Sequence, residues 1–152
     1  MQTTPDARAT AARALGELER RDAYSDALLD GVFRRAPGLS PRDRALATQI
    51  VYGVLRWRHR LDRFIETAAE RPLKKLDPRL LTVLRVGAFQ LLFLDRVPGP
   101  AAVSETVELA GRLGMERAKG LANAVLRRIA AGDAVPPVPE DPASQGGTEC
   151  SR

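Results

Sequence analysis

Few side chains in this sequence of 152 residues could carry out covalent chemistry. The single cysteine, Cys150, lies in a segment rich in glycine and proline, where no fixed base could deprotonate its thiol. The single histidine, His59, stands between arginines with no nucleophile near it in the sequence, so we expect it to face solvent or a phosphate. One cysteine and one histidine cannot form a thiolate or imidazole zinc site. We therefore expect that the chain is not an enzyme by itself and needs no cofactor or metal.

The arginines around this histidine indicate a different activity, which is the binding of a polyanion. A helix turns about 100° per residue, so Arg56, Arg60 and Arg63 fall within about 60° of each other on one face. The apolar residues of the same segment centre on another face, about 100° away. Three cations in one row repel each other unless solvent or a polyanion compensates their charge. Asp62 and Glu66 could offset part of this charge, so a salt-bridged surface is the alternative.

The charge is unevenly distributed along the chain. The sequence has 24 lysine and arginine residues against 19 acidic residues, which gives a formal net charge of +5. Residues 133–152 contain four acidic residues and one arginine, so residues 1–132 have 23 basic and 15 acidic residues and a net charge of +8. Nearly all the cations are arginines, which pair with phosphate through two parallel hydrogen bonds and stack on bases. This composition is compatible with a nucleic-acid partner, although GC-rich coding also enriches arginine.

Apolar residues recur at helical spacing through most of the chain, and no long stretch alternates with period two. We therefore predict an all-α fold, a compact bundle of about seven helices over residues 1–132. The clearest helix start is Ser40-Pro41-Arg42-Asp43, which combines a cap, a proline at the first helical position and an acid that resembles a capping box. The apolar stripe that follows continues through Trp57 towards Pro72, either as one bent helix or as two helices.

Three further elements follow from capping signals and hydropathy. Thr4-Pro5-Asp6 predicts the start of a first helix that runs to about Arg20, and Ser25 is the candidate cap of the second. The segment after Asp77-Pro78 is apolar on most sides and should be the central helix. Arg85 lies within that segment, where it could pair with a buried carboxylate or contact a ligand. Both interpretations are open.

The composition changes at Asp133. Four prolines and a Ser-Gln-Gly-Gly-Thr run follow without apolar periodicity, so we predict a disordered tail over residues 133–152. No apolar run approaches the roughly 18 residues of a membrane helix. The N-terminus has an early acid and lacks the apolar stretch of a secretory signal. We therefore expect a cytoplasmic protein with no membrane partner.

Four blocks of the sequence resemble the NusB family. Their order and spacing agree with that family across roughly residues 6–131. The stretches GVLR (53–56) and QLL (90–92) look more like the branch that forms the N-terminal domain of RsmB-type rRNA cytosine methyltransferases. The blocks are DRAL (43–46) with VYGVLR (51–56) and LD (61–62), LRVGAFQLLF (84–93) with RVP (96–98), AVSETVELA (102–110), and GLANAVLRR (120–128).

This resemblance implies an all-α fold that binds RNA, with rRNA or its precursor as the partner. The RsmB-type enzymes continue into a domain with an S-adenosylmethionine site and a catalytic cysteine, neither of which is present in this sequence. The resemblance therefore implies a truncated or split N-terminal domain of an rRNA methyltransferase. The alternative is a stand-alone transcription antitermination factor that acts with a ribosomal or transcription protein.

The candidate RNA-binding residues combine the arginine face with the family pattern. On the first helix, Arg8 and Arg13 loosely match arginines with which family members contact RNA. Two loop lysines complete the set, which is Arg8, Arg13, Arg56, Arg60, Arg63, Lys74 and Lys75. Glu105 and Asn123 also match family positions, and we expect a structural role for them, such as a cap or a buried hydrogen bond.

Overall fold

A computed structural model describes residues 6–21 and 26–136. This part of the chain contains six α-helices, two short 3₁₀ turns and no strand, which confirms the all-α prediction. The number of helices is six instead of about seven, because the stripe through Trp57 belongs to one long helix. The helices are α1 (Ala7–Arg21), α2 (Asp26–Arg34), α3 (Pro41–Ala69), α4 (Pro78–Phe93), α5 (Gly99–Arg112) and α6 (Lys119–Ala131), and the 3₁₀ turns are Leu73–Lys75 and Glu116–Ala118.

Helix α4 is the centre of the bundle, as its composition predicted. It packs against α1, α3, α5 and α6, and every residue from 82 to 90 is buried. Its start follows from the sequence: the Asp77 carboxylate accepts the backbone N–H of Arg79 at 2.8 Å, and Pro78 occupies the first turn. A helix that is surrounded on all sides needs apolar residues on all sides, which explains why its hydrophobic pattern is not confined to one stripe.

Two glycines allow the helices around α4 to approach closely. A Cβ atom on Gly53 of α3 would lie 2.1 Å from Cζ of Phe89. A Cβ atom on Gly87 of α4 would lie 2.8 Å from a methyl group of Leu126 on α6. The space that these glycines leave is therefore filled by side chains of the neighbouring helices, which sets how closely α3 and α6 pack on α4.

Helix α3 is one bent helix of 29 residues. It begins where Ser40 Oγ accepts the N–H of Asp43 at 3.1 Å, as the capping pattern predicted, and it ends at Glu70 in the left-handed conformation. Trp57 departs from helical geometry with φ −106° and ψ 20°. Arg56 precedes the bend, whereas Arg60 and Arg63 follow it. The ideal rotation of 100° per residue therefore places Arg60 and Arg63 relative to each other but does not place Arg56 relative to them.

Both ends of the described structure refine the predicted boundaries. The Asp6 carboxylate accepts the N–H of Ala9 at 2.8 Å, so Asp6 itself caps α1. At the other end, the structure includes residues 133–136 of the predicted tail, and Ala134 is 2% exposed. The other tail residues, with Cys150, and the proposed signals at Thr4-Pro5 and Ser25 lie outside the described residues.

Candidate nucleic-acid interface

Arg85 of the central helix is buried in an ion-pair network. Its Nε donates to Oδ1 of Asp62 at 2.7 Å, and its Nη2 donates to Oδ2 of the same carboxylate at 3.0 Å. Its Nη1 donates to Oε2 of Glu19 at 2.6 Å. The Arg85 side chain is only 7% exposed, so these two carboxylates balance its charge inside the bundle. Of the two interpretations open from the sequence, the structure supports the carboxylate pair.

This network removes one of the two acids that could neutralise the arginines of α3. Both carboxylate oxygens of Asp62 accept from Arg85. The other acid, Glu66, accepts the backbone N–H of Leu73 at 3.3 Å. Among the described residues, no carboxylate forms an ion pair with Arg56 or Arg60, which are both exposed. The salt-bridged alternative therefore does not apply to these two side chains.

Aromatic rings lie beneath the two exposed guanidinium groups. Cζ of Arg56 lies 5.3 Å from the ring centroid of Trp57, and Cζ of Arg60 lies 5.9 Å from that of Phe64. The Trp57 ring stacks in turn on Phe93 of α4, with ring centroids 5.1 Å apart. Each arginine thus rests on the edge of the core while its charge remains at the surface.

The two lysines of the candidate set lie beside the C-terminal part of α3. The hydrogen bond from Leu73 to Glu66 holds the 3₁₀ turn Leu73–Lys75 against the last turns of that helix. Lys74 and Lys75 are exposed there, whereas Arg63 on the helix is half-buried. We call this set the α3 basic surface, and its α3 part extends about 10 Å along the helix, from residue 56 to residue 63. It consists of Arg56, Arg60, Arg63, Lys74 and Lys75.

The two arginine candidates on α1 have different surroundings. Arg13 is exposed, whereas Arg8 is half-buried and its Nε donates to Oε1 of Gln90 at 2.8 Å. Helix α1 meets the second half of α3 at Glu19, whose Oε2 lies 3.6 Å from Nη2 of Arg58. Arg8 lies eleven residues before Glu19, or about 16 Å along the helix axis. The fold therefore places Arg8 near the opposite end of α1 from the contact with Arg58.

Four residues outside the α3 basic surface also bear on the sequence predictions. Gln90, a fully buried amide, was not among the candidates, although a glutamine within a largely apolar helix indicates that its amide has hydrogen-bond partners there. His59 is exposed, as predicted. Glu105 is exposed and Asn123 is half-buried, and neither side chain makes a hydrogen bond within the described part of the chain. The cap or buried hydrogen bond expected of these two residues is therefore absent there.

One acid near the lysines stays charged over a wide pH range. The backbone N–H of Arg79 and then its guanidinium, 3.3 Å away, hold the pKa of Asp77 below its usual value of 3.8. Its negative charge thus caps α4 and pairs with Arg79.

Within the described ranges, no three or more acidic, histidine or cysteine side chains are grouped so as to hold a metal ion. No helix there is both long and apolar enough to cross a membrane.

Comparison with known proteins agrees with the all-α bundle. The signature of the NusB family matches residues 5–131. The structure of NusB from T. maritima superposes with a TM-score of 0.75 and 27% sequence identity, over 88% of this chain and 95% of that one.

The curated relatives are longer proteins. The probable ribosomal RNA small subunit methyltransferase B of Synechocystis sp. is 40% identical over 122 residues, which are 80% of this chain and 27% of the relative. A putative methyltransferase of Mycobacterium tuberculosis is 43% identical over 127 residues, 84% of this chain and 27% of the relative. The probable ribosomal RNA small subunit methyltransferase B of Bacillus subtilis is 35% identical over 143 residues, which are 93% of this chain and 31% of the relative. The chain spans about a quarter to a third of these relatives and resembles their N-terminal domain. It belongs to the NusB family.

Proposed function

We propose that this domain binds RNA through the α3 basic surface. The observation that carries the proposal is the engagement of Asp62 by Arg85, which leaves Arg56 and Arg60 without a carboxylate partner among the described residues. Uncompensated cations close together lower their repulsion by taking up a polyanion, whose condensed counterions are then released. Phosphate contacts supply most of the affinity, and bases stack on the exposed guanidinium groups.

The relatives support RNA, and rRNA or its precursor in particular, as the polyanion. The Synechocystis and Bacillus subtilis proteins are both called probable ribosomal RNA small subunit methyltransferase B, and they match 80% and 93% of this chain. Unpaired bases can stack on planar guanidinium groups, whereas base edges in a paired RNA helix are hard to reach. A single-stranded or looped region of rRNA is therefore the ligand that fits the exposed arginines best.

The domain supplies RNA binding, and the methyl transfer belongs to a catalytic unit. The matching region is 27–31% of the relatives named methyltransferases above. A truncated or split enzyme of this type predicts a methyltransferase reading frame in the flanking locus, and sequencing that locus tests it. It also predicts that this chain alone does not bind S-adenosylmethionine, which calorimetry measures directly.

The second candidate function is an antitermination factor that acts with a ribosomal or transcription protein. Its support is the likeness to T. maritima NusB, which covers 95% of that chain but at 27% identity is weaker than the 35–43% identity to the proteins named methyltransferases. A protein-binding module needs a contiguous apolar patch. The exposed large apolar residues of the described structure are Tyr52 on α3, Leu113 after α5 and Val135 after α6. None of the described helices carries more than one of these residues, so none presents an exposed apolar stripe, and the RNA-binding function has the stronger support.

Equilibrium binding to a single-stranded rRNA fragment and to DNA of the same sequence tests the proposed function. We expect preference for RNA and an affinity that falls steeply as the salt concentration rises, because each phosphate contact releases counterions. Absence of binding at low salt contradicts RNA binding and favours the protein-interaction module. Equal affinity for both nucleic acids contradicts the preference for RNA.

A further inference from the structure

Gln90 is fully buried, and both ends of its side-chain amide are fixed. Its Nε2 donates to the backbone carbonyl of Val86 at 3.1 Å and lies 3.5 Å from Oγ1 of Thr106 on α5. Its Oε1 accepts from Nε of Arg8 at 2.8 Å. An arginine nitrogen can only donate, so the amide atom that faces Arg8 must be the oxygen. The orientation of the amide is therefore determined by its three neighbours.

Arg8 uses only its inner nitrogen in this contact. Its terminal nitrogens, Nη1 and Nη2, make no hydrogen bond or ion pair with the residues that the structure describes. The nearest acid in sequence, Asp6, is already engaged: its Oδ1 caps α1 through Ala9, and its Oδ2 lies 2.9 Å from Nη2 of Arg112. The half-buried Arg8 thus has a fixed Nε and no carboxylate partner among the described residues.

We infer that Gln90 is a positioning residue for RNA binding, which holds the Arg8 guanidinium so that both terminal nitrogens take one RNA phosphate. This inference rests on the proposed function. A neutral amide orients the guanidinium without cancelling its charge, whereas a carboxylate at the same place would neutralise it. Fixing the side chain in advance lowers the conformational entropy lost when the phosphate binds. Arg8 forms a second phosphate site, apart from the α3 basic surface.

A double-mutant cycle on RNA affinity tests this coupling. The variants are Arg8→Ala, Gln90→Met and the double variant, each measured against the same single-stranded rRNA fragment at low salt. Methionine keeps the length and helix propensity of glutamine but replaces the amide oxygen that faces Arg8 by a thioether group, which is only a weak acceptor. We expect each single variant to bind about tenfold more weakly, and the double variant to bind no more weakly than either.

Thr82→Val is the matched control, which tests whether destabilising α4 is by itself enough to weaken RNA binding. Thr82 is also buried in this helix, and its hydroxyl bonds to Pro78 and Glu19 without contact to Arg8. We expect this variant to lower Tm and to keep wild-type RNA affinity. If it weakens binding as much as Gln90→Met does, the effect of Gln90 is general destabilisation and the inference is wrong.

Arg8→Lys provides a test that does not disturb the core. Lysine restores the charge but lacks the planar fork and the Nε–H group that meets Gln90. We expect it to bind RNA several-fold more weakly than wild type, and full recovery of affinity contradicts the positioning role. Equal losses from Gln90→Met with and without Arg8 also contradict it.

The failure of this inference can be distinguished from the failure of the proposed function. If wild type binds RNA and Arg8→Ala does not weaken that binding, this inference alone fails. A wild type that does not bind RNA overturns the proposed function itself.

Discussion

Arg85 and Asp62 face each other through two parallel hydrogen bonds, 2.7 Å from Nε to Oδ1 and 3.0 Å from Nη2 to Oδ2. This single pair joins the central helix to α3, and Glu19 extends it to α1. The pair also affects the charge of the α3 basic surface. Asp62 balances the buried Arg85 and therefore does not balance the exposed Arg56 and Arg60, which are close to it in sequence. Stability of the bundle and the charge of the α3 basic surface therefore depend on the same carboxylate.

Replacing Arg85 by methionine should destabilise the protein strongly. The change leaves the carboxylates of Asp62 and Glu19 without their buried counter-ion, and loss of one partner of such a pair costs about 3 kcal/mol or more. Urea unfolding monitored by circular dichroism measures the difference. Arg79→Met is the control, because Arg79 and its partner Asp77 are both at the surface, with side chains 62% and 43% exposed, and loss of this pair should cost less than about 1 kcal/mol. Equal effects of the two substitutions would contradict the structural role assigned to Arg85.

Gly53→Ala should lower the free energy of unfolding by about 2 kcal/mol, although alanine is the better helix former. The new Cβ would lie 2.1 Å from the ring of Phe89, which is buried and stacked on Phe93 with centroids 5.5 Å apart. The ring cannot move away without disturbing that stack. At Gly16, the nearest atom is the flexible end of Arg20 at 3.5 Å, so Gly16→Ala should raise stability by about 0.5–1 kcal/mol. Thermal unfolding gives both signs, and a stabilised Gly53→Ala variant would show that α3 and α4 are not this close.

Because the Asp77 carboxylate caps α4, the free energy of unfolding should change with pH in the acidic range. The pKa of Asp77 is lower in the folded state than its usual value of 3.8, so its contribution is complete above that value and is lost as the pH falls through the folded-state pKa. Asp77→Ala should cost about 1 kcal/mol at neutral pH. Denaturant unfolding of wild type and variant at several pH values should show this deficit shrinking below pH 3.8. Asp77→Asn, which retains a capping oxygen, serves as the control, and a deficit that stays constant down to the lowest pH would refute the charged cap.

Helix periodicity and caps predicted most of the fold because each is a local property of the sequence. Ser40, Asp77 and the apolar segment after Pro78 all behave as predicted. The sequence does not distinguish a bend at Trp57 from a break between two helices, since an apolar stripe continues through a bend as it does through a straight helix.

The candidate site depended more on contacts between residues distant in sequence. Asp62 is closest in sequence to the arginines of α3, yet its partner is Arg85, 23 positions away. Arg8 meets Gln90 across 82 positions. Helical spacing gives the face on which a side chain lies but not which neighbour it meets on another helix. The assignment of free and compensated charges therefore required the tertiary structure.

The most direct test compares two variants that lose the same charge. Arg56→Ala with Arg60→Ala removes two cations of the α3 basic surface, whereas Arg35→Ala with Arg79→Ala removes two exposed arginines that already have carboxylate partners. Affinity for a single-stranded rRNA fragment is measured for both, and for wild type, across a salt series. The first variant should bind more weakly and show a smaller salt dependence, by about one released counterion per lost phosphate contact, while the second stays close to wild type. Equal losses in both variants would mean that net charge alone attracts RNA, and that the α3 basic surface is not the binding site.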